Sequence, residues 1–368
     1  MKHFTKYLTK YAMPILLAWS MSFSFAGCSA QKEQEKETPA PQQSEEKQEE
    51  EISSEISSEN PEKTEQTEEK TNINLAALKG PTALGMLDLL EKNEQDKAAN
   101  HYEVTLAGAP DELVGKIVSG ELDIAAVPTN LAATLYQKTK GGVQITALNT
   151  MGVLYLLETG DTIHSVADLK GKTIYATGQG STPEYALNLV LEKNGLTVGE
   201  DVTVVYKEEH AEIAPLLASG EAQIALLPQP FVTAVLNQNE KVRVALDLTE
   251  EWDKATNGES GLTMGCIVVR KEFAEQNKEA MNRFLDEYKQ SVQTVNSAEG
   301  LEHAAQLAEQ YDIMKAAVAK QAIPECNLVY KEGEEMKQTA QGFLQVLFEA
   351  NPKSVGGALP DEDFYYQR

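Results

Sequence analysis

The chain has 368 residues and a formal net charge of −25, from 57 acidic and 32 basic side chains. This acidic balance argues against nucleic acid and anionic lipid as ligands, because both are themselves negatively charged. The length is enough for two domains.

The first 27 residues have the pattern of an export signal. Three lysines precede an apolar segment over residues 12–25, which is too short for a permanent transmembrane helix. The segment ends in Phe25-Ala26-Gly27-Cys28, which resembles a bacterial lipobox, although that motif prefers Leu where Phe25 stands. We expect residues 1–27 to be removed as a lipoprotein signal peptide and a lipid on Cys28 to anchor an extracytoplasmic protein to the cell membrane. A retained membrane helix is the alternative.

Residues 28–70 have the composition of an acidic tether. The stretch 31–70 contains 14 Glu and 5 Lys. Such a segment buries too little apolar surface to offset the entropy of ordering it, and its like charges repel one another. We predict an extended, disordered tether and a folded part that begins near Thr71.

One phrase occurs twice in the folded part. Residues 119–128 (SGELDIAAVP) and 219–228 (SGEAQIALLP) are identical at six of ten positions, at an offset of 100 residues. In each copy an amphipathic helix ends at Ser-Gly, an apolar strand follows, and a proline starts the turn into the next helix. We interpret this duplication as two similar α/β lobes.

Hydrophobic patterns along the chain predict an α/β fold of two lobes with a helical C-terminal segment. Besides the repeat, strands are predicted over 73–78, 102–106, 143–148, 172–176, 202–206, 242–246 and 264–269, and helices over 184–193, 248–257 and most of the chain after Lys271. The segments 153–157 and 264–269 are interpreted as crossings between the lobes. Lobe I then comprises residues 71–157 plus 262–368, and lobe II comprises residues 158–261.

The junctions between strands and helices are the expected ligand sites. At these junctions the free N–H groups of helix N-termini meet the carboxyl ends of strands, which favours an anion or another hydrogen-bond acceptor. Helix capping is the alternative role for the hydroxyl and amide side chains there. The candidate ligand-binding residues are Gly80, Pro81, Thr82, Thr129, Asn130, Met151, Gly178, Gln179, Gly180, Ser181, Thr182 and Gln229.

Other chemistries lack their motifs. Gly178-x-Gly180 follows a strand, but Pro183 stands where a dinucleotide fingerprint needs its third glycine. No nucleophile lies in a motif that pairs it with a histidine, and the histidines are too scattered for a metal site. We therefore expect no cofactor, no metal and no catalytic residues. Cys266 and Cys326 form either one disulfide or two buried thiols.

Several of these segments resemble the substrate-binding proteins of ABC importers. They are the lipobox, Leu-Lys-Gly-Pro-Thr at 78–82, Ser-Val-Ala-Asp-Leu-Lys-Gly-Lys-Thr-Ile-Tyr-Ala at 165–176, the turn Gly-x-Gly-Ser-Thr-Pro-Glu at 178–184, and the repeated phrase. More narrowly, residues 71–368 are similar to the nitrate/sulfonate/taurine and thiamine-pyrimidine branch of the type II periplasmic-binding fold. The resemblance implies a small solute held between the lobes by the loops 80–82 and 178–182.

One departure from the family pattern concerns arginine. Amino-acid binders of this fold typically offer an arginine to the ligand carboxylate. The chain's four arginines, at 243, 270, 283 and 368, all lie outside the candidate loops. This disfavours amino acids as ligands and leaves a sulfonate or nitrate without its strongest partner.

The expected function is that of a monomeric, non-enzymatic receptor. It would bind a small-molecule solute between its lobes and deliver it to an ABC permease and its ATPase. One alternative is a pyrimidine-synthesising enzyme of the same fold, whose cysteine-rich motif and donor histidine are missing here. Another is a ligand-sensing surface module, which the sequence does not separate from the receptor.

Overall fold

The computed structural model describes residues 69–368, so the predictions on the signal peptide, Cys28 and nearly all of the tether lie outside the described residues. Strands and helices are interspersed along the chain up to a mainly helical C-terminal part. In chain order they are β1 (Asn72–Leu78), α1 (Pro81–Leu84), α2 (Leu87–Glu94), β2 (His101–Ala107), α3 (Asp111–Ser119), β3 (Ile124–Pro128), α4 (Thr129–Thr139), β4 (Val143–Met151), β5 (Leu154–Thr159), β6 (Thr173–Ala176), α5 (Thr182–Lys193), β7 (Thr203–Tyr206), α6 (Ile213–Ser219), β8 (Ile224–Pro228), α7 (Phe231–Gln238), β9 (Val242–Asp247), α8 (Leu248–Ala255), β10 (Thr263–Arg270), α9 (Lys271–Gln276), α10 (Lys278–Asn296), α11 (Leu301–Gln310), α12 (Ala316–Ala322), β11 (Leu328–Lys331) and α13 (Gly333–Ala350).

The strands form two sheets built on one plan. The first has the order β11-β4-β10-β3-β1-β2 and the second the order β7-β6-β8-β5-β9. In the first sheet β1 lies parallel to β2 and β3, and β10 is inserted antiparallel between β3 and β4. The second sheet repeats this arrangement. β6 lies parallel to β7 and β8, and β5 is inserted antiparallel between β8 and β9. The predicted two-lobed α/β architecture is therefore confirmed, and we call the sheets with their helices lobe I and lobe II.

The internal repeat extends beyond the phrase seen in the sequence. α3 and α6 each end at a left-handed glycine, Gly120 with φ 80° and Gly220 with φ 79°. Ahead of α3, the Glu112 carboxylate accepts the backbone N–H groups of residues 108 and 109 at 2.9–3.0 Å. Ahead of α6, Glu212 accepts those of residues 208 and 209 at 2.9–3.1 Å. The offset of 100 residues is thus retained in the loops that precede both helices.

The crossings between the sheets differ from the prediction. β5 is a paired strand of lobe II, so only Gly152 and Val153 separate the sheets there, and the boundary expected after Leu157 falls inside β5. On the return path residues 256–262 make the crossing, because β10 is an inner strand of the first sheet. Apolar extended segments look alike in sequence whether they pair or merely connect, which explains the difference.

One apolar core extends through both lobes. Trp252 of α8 packs against Phe343 of α13 with ring centroids 5.6 Å apart, and both side chains are fully buried. Cys266 and Cys326 are buried free thiols, which settles the choice that the sequence left open. Within residues 69–368, no helix is long and apolar enough to cross a membrane. The two stripes predicted in the C-terminal helices are buried: Met281, Phe284, Tyr288, Val292 and Val295 of α10, and Met336, Ala340, Phe343, Leu344 and Leu347 of α13.

Candidate ligand-binding site

The topology brings the carboxyl edges of the two sheets to one place. In lobe I, β1, β3 and β4 end at the edge where β10 begins, so that Met151 is paired with Thr263. In lobe II, β6 and β8 end where β5 begins, so that Pro228 is paired with Leu154. Because only Gly152 and Val153 join β4 to β5, both edges adjoin the same crossing. The predicted ligand loops follow strands that end at these two edges.

A buried hydrogen bond connects the lobes between two of the predicted residues. Thr182, the first residue of α5, donates its hydroxyl to Asn130 Oδ1 of α4 at 3.0 Å. The two side chains are 1% and 5% exposed. Asn130 Nδ2 also donates to the carbonyl of Ser354 at 3.3 Å, so the amide is held at both ends. Asn130 and Thr182 therefore bind each other across the lobe boundary.

In lobe I, Thr82 belongs to a close-packed group of polar side chains. Its hydroxyl donates to the Leu78 carbonyl at 2.9 Å, and its own carbonyl accepts from Asn149 Nδ2 at 3.3 Å. Gly265 of β10 lies beside them, and a Cβ there would stand 2.5 Å from Asn149 Oδ1 and 2.7 Å from Thr82 Cγ2. Because Gly265 has no side chain, α1, β4 and β10 can pack closely at this point.

The other lobe I candidates lie on the same edge. Thr129 and Thr263 share a buried hydroxyl–hydroxyl hydrogen bond of 3.1 Å. The half-buried Met151 ends β4, and its methyl group packs beside Gly261. Gly80 precedes α1 with φ 130°, and Pro81 is the first residue of that helix. None of the helices α1, α4 and α5 has a side-chain N-cap, so the capping alternative is not supported there.

In lobe II, the chain itself uses the polar groups of the glycine loop. Gly178 and Gly180 both have φ 75°, and the Ser181 hydroxyl donates to the Gly178 carbonyl at 2.7 Å. The N–H of Gly180 donates to the carboxylate of Glu184, one turn into α5. Gln179 is exposed. The Glu184 carboxylate thus binds a backbone N–H group that we expected to be free for a ligand.

Gln229 acts as a cap. Its side-chain Oε1 accepts from the Thr233 N–H at 3.2 Å and from the Thr233 hydroxyl at 2.9 Å, in the first turn of α7. The capping alternative is therefore the one observed at this position.

His210 is a further candidate residue that the sequence did not point out. Its Nδ1 lies 2.5 Å from the Thr177 hydroxyl, and its ring packs on Phe231 with centroids 4.4 Å apart. These three residues follow β6, β7 and β8, so they lie on the lobe II carboxyl edge. Burial lowers the pKa of His210 to about 4, which keeps the imidazole neutral at pH 7. The repeat offered a sequence signal for His210, because at the offset of 100 residues lobe I has Pro110 in its place.

A metal site has no support in the described part of the chain. Among residues 69–368, no three His, Cys, Asp or Glu side chains are grouped so as to hold a metal ion.

The family model for menaquinone biosynthesis matches residues 74–349, which is about three quarters of the chain. The chain belongs to this family. A comparison with curated protein sequences gave no match.

Solved structures similar to this member of the family include an ABC transporter protein and periplasmic binding proteins. An ABC transporter protein from Parabacteroides distasonis is 25% identical with a TM-score of 0.68, over 81% of this chain and all of that one. The aliphatic sulphonate binding protein SsuA from Escherichia coli is 17% identical with a TM-score of 0.65, over 81% and 93% of the chains. The nitrate-binding protein NrtA from Synechocystis PCC 6803 is 16% identical with a TM-score of 0.55, over 78% and 84%. The predicted type II periplasmic-binding fold is confirmed.

Proposed function

We propose that the protein is an extracytoplasmic receptor that binds a small molecule between its lobes and delivers it to an ABC permease. The observation that carries this proposal is the junction of two duplicated carboxyl edges, joined by the Asn130–Thr182 hydrogen bond. Ligands of open α/β sheets bind at such edges. The loops 80–82, 129–130 and 178–182, together with Met151 and Gln229, would line the site.

A lipid anchor forms part of this proposal. It is supported by the lipobox-like segment that ends at Cys28. Cys28→Ser should release the protein into the medium or leave it unprocessed, because one thiol would carry the lipid. Cell fractionation with immunoblotting checks this, and a processed Cys28→Ser protein that stays in the membrane fraction would argue against lipidation.

Thermal-shift screening of the full chain against a metabolite extract and its fractions tests the receptor function. A ligand present at about 100 times its Kd adds roughly 2.7 kcal/mol to the free energy of unfolding. A fraction that raises the melting temperature reversibly, and is recovered chemically unchanged, supports a receptor. If no fraction raises it, the proposal fails.

An enzyme is the second candidate, favoured by the family match and by the His210–Thr177 pair. A histidine held by a hydroxyl is the arrangement of a general base, but such a base works best with a pKa near the operating pH. The pKa of about 4 therefore favours His210 as a neutral hydrogen-bonding group. Conversion of the stabilising compound by the wild type, and its loss in His210→Gln, would favour the enzyme instead.

A further inference from the structure

The chain's own carboxylates fill anion-binding positions in three loops of the carboxyl edges, one in lobe I and two in lobe II. Glu112 accepts the backbone N–H groups after β2, Glu184 accepts one in the glycine loop after β6, and Glu212 accepts those after β7. Free backbone N–H groups at helix N-termini are the feature with which α/β sheets bind phosphate, sulfate or carboxylate. In this protein, an anionic ligand would have to displace an internal carboxylate at each of these loops.

The cations nearest the site offer little compensation. Lys79 is paired with Asp312 at 2.7 Å. Lys207 follows β7, but Glu208 and Glu209 come next in the chain, so the segment itself is net negative. The arginines lie off the edges: Arg243 pairs with Glu158, Arg270 with Asp123, and Arg368 with Asp286 and Glu332, while Arg283 bonds Asn100 and Thr71.

Lobe II offers an aromatic surface instead. His210 and Phe231 pack ring against ring at 4.4 Å, and Thr177 holds the imidazole through Nδ1. His210 is half-buried, and within residues 69–368 its Nε2 has no hydrogen-bond partner. The two rings are tilted by 38°, so a flat ligand can pack on the Phe231 ring beside the imidazole and hydrogen-bond its free nitrogen in the imidazole plane.

We propose that the ligand is an uncharged planar ring compound that packs on the His210–Phe231 pair and hydrogen-bonds His210 Nε2. This inference rests on the proposed receptor function and deepens it by naming the ligand class. It separates the protein from SsuA and NrtA, whose names state sulphonate and nitrate. The same fold would then serve ligands of different charge through its edge residues.

Matched pairs of ring compounds test the inference with the full chain. Nicotinamide and benzamide are uncharged, whereas nicotinate and benzoate have the same shape and carry a negative charge. At about 10 mM, the amides should raise the melting temperature by roughly 2 °C or more, and the two carboxylates, nitrate and methanesulfonate should not. Calorimetric titration of nicotinamide should show affinity reduced about tenfold or more in Phe231→Ala and His210→Ala, through the lost stacking and ring nitrogen.

Control variants separate binding from folding. His303 bonds Glu91 on the lobe I surface at 2.7 Å, so His303→Ala should leave amide binding unchanged. If His210→Ala fails to fold, Phe231→Leu, which keeps apolar bulk but removes the ring, gives the same test.

Two results would overturn the ligand class. Stronger stabilisation by the carboxylates, nitrate or methanesulfonate would show an anion site, with the receptor function intact. No stabilisation by any probe would remove the ring-ligand assignment, while the metabolite extract would still decide the receptor function by itself.

Discussion

Lobe I and lobe II share one scaffold but display different chemistry at their facing edges. At matching positions in the repeat, lobe I has Pro110, Thr129 and Leu131, whereas lobe II has His210, Gln229 and Phe231. At these positions lobe I therefore has one hydroxyl group, and lobe II has an amide and a neutral imidazole that packs on a phenyl ring. The repeated strands and turns thus fix where the edge groups lie, and a few residue differences between the lobes fix the chemistry of those groups.

The lobes also have an ion pair each at the opposite, amino edge. Asp123 pairs with Arg270 at 2.9 Å in lobe I, and Glu158 pairs with Arg243 at 2.8 Å in lobe II. Both carboxylates are largely buried. Hydrogen bonds from residues 162 and 163 and the charge of Arg243 hold the pKa of Glu158 below its usual value, against the opposing effect of burial. The arginines of the lobes thus serve the scaffold.

The largest expected effect comes from breaking the core that the lobes share. Trp252→Ala removes a fully buried ring that packs on Phe343 and donates to the Ser260 carbonyl at 2.7 Å. We expect the free energy of unfolding to fall by about 3–5 kcal/mol, as measured by urea denaturation. Val244→Ala, at an exposed strand position, is the control and should cost far less. A Trp252→Ala variant as stable as this control would show that α8 and α13 do not hold the lobes together.

Gly265→Ala tests the close approach of elements at the lobe I edge. The added Cβ would overlap Asn149 Oδ1 and Thr82 Cγ2, so we expect a loss of about 1–3 kcal/mol from overpacking. Gly115→Ala in α3 meets nothing within 4 Å and should instead gain about 0.5–1 kcal/mol from helix propensity. Equal changes in the melting temperatures of the two variants would contradict the geometry around Gly265.

A double-mutant cycle isolates the contact between the lobes. Thr182→Val leaves the buried Asn130 Oδ1 without its donor and should cost about 1–3 kcal/mol. Combined with Asn130→Ala, it should show a coupling energy of at least about 0.5 kcal/mol. Thr82→Val, which loses only a bond to the Leu78 carbonyl within lobe I, should be additive with Asn130→Ala. Additivity in both cycles would remove the Asn130–Thr182 bond from the account.

A further expected effect is a pH dependence of stability that comes from His210 of lobe II. The pKa of His210 is about 4 in the folded protein, below the ordinary value of about 6.5. Between these values the unfolded chain binds more protons, so the stability from this residue falls as the pH drops from about 6.5 towards 4, by up to about 1.4 kcal/mol per pH unit. The free energy of unfolding, measured by denaturation at several pH values, should change less with pH in His210→Gln than in the wild type. Parallel pH profiles of stability for the variant and the wild type would contradict a half-buried His210 that stays neutral down to about pH 4.

Most strands and helices could be predicted from the sequence, because the repeat and the hydrophobic periodicity are local signals. The C-cap glycines, the apolar strands and the C-terminal stripes were all predicted and are all present. The candidate loops followed from the same patterns. The partners of their side chains did not, because Thr182–Asn130 and His210–Phe231 are contacts between elements far apart in the chain. The sequence also could not show that the Glu184 carboxylate accepts the Gly180 N–H in the glycine loop.

A competing location for the ligand exists on the other side of lobe I. A cavity of about 410 Å³ lies at the amino edge of the first sheet and is lined by residues that include Gln144, Lys278, Tyr365 and Tyr366. It contains no residue of the candidate loops. The two locations therefore predict protection of different segments when ligand binds.

Amide hydrogen exchange of the full chain, with and without a stabilising ligand, distinguishes these locations most directly. We expect added protection on both carboxyl edges, in segments 80–84 and 129–133 of lobe I and 177–186 and 210–235 of lobe II. Exchange in segments 274–282 and 363–368 should be unchanged. Protection confined to those last two segments, or to a single lobe, would contradict a ligand held between the duplicated lobes.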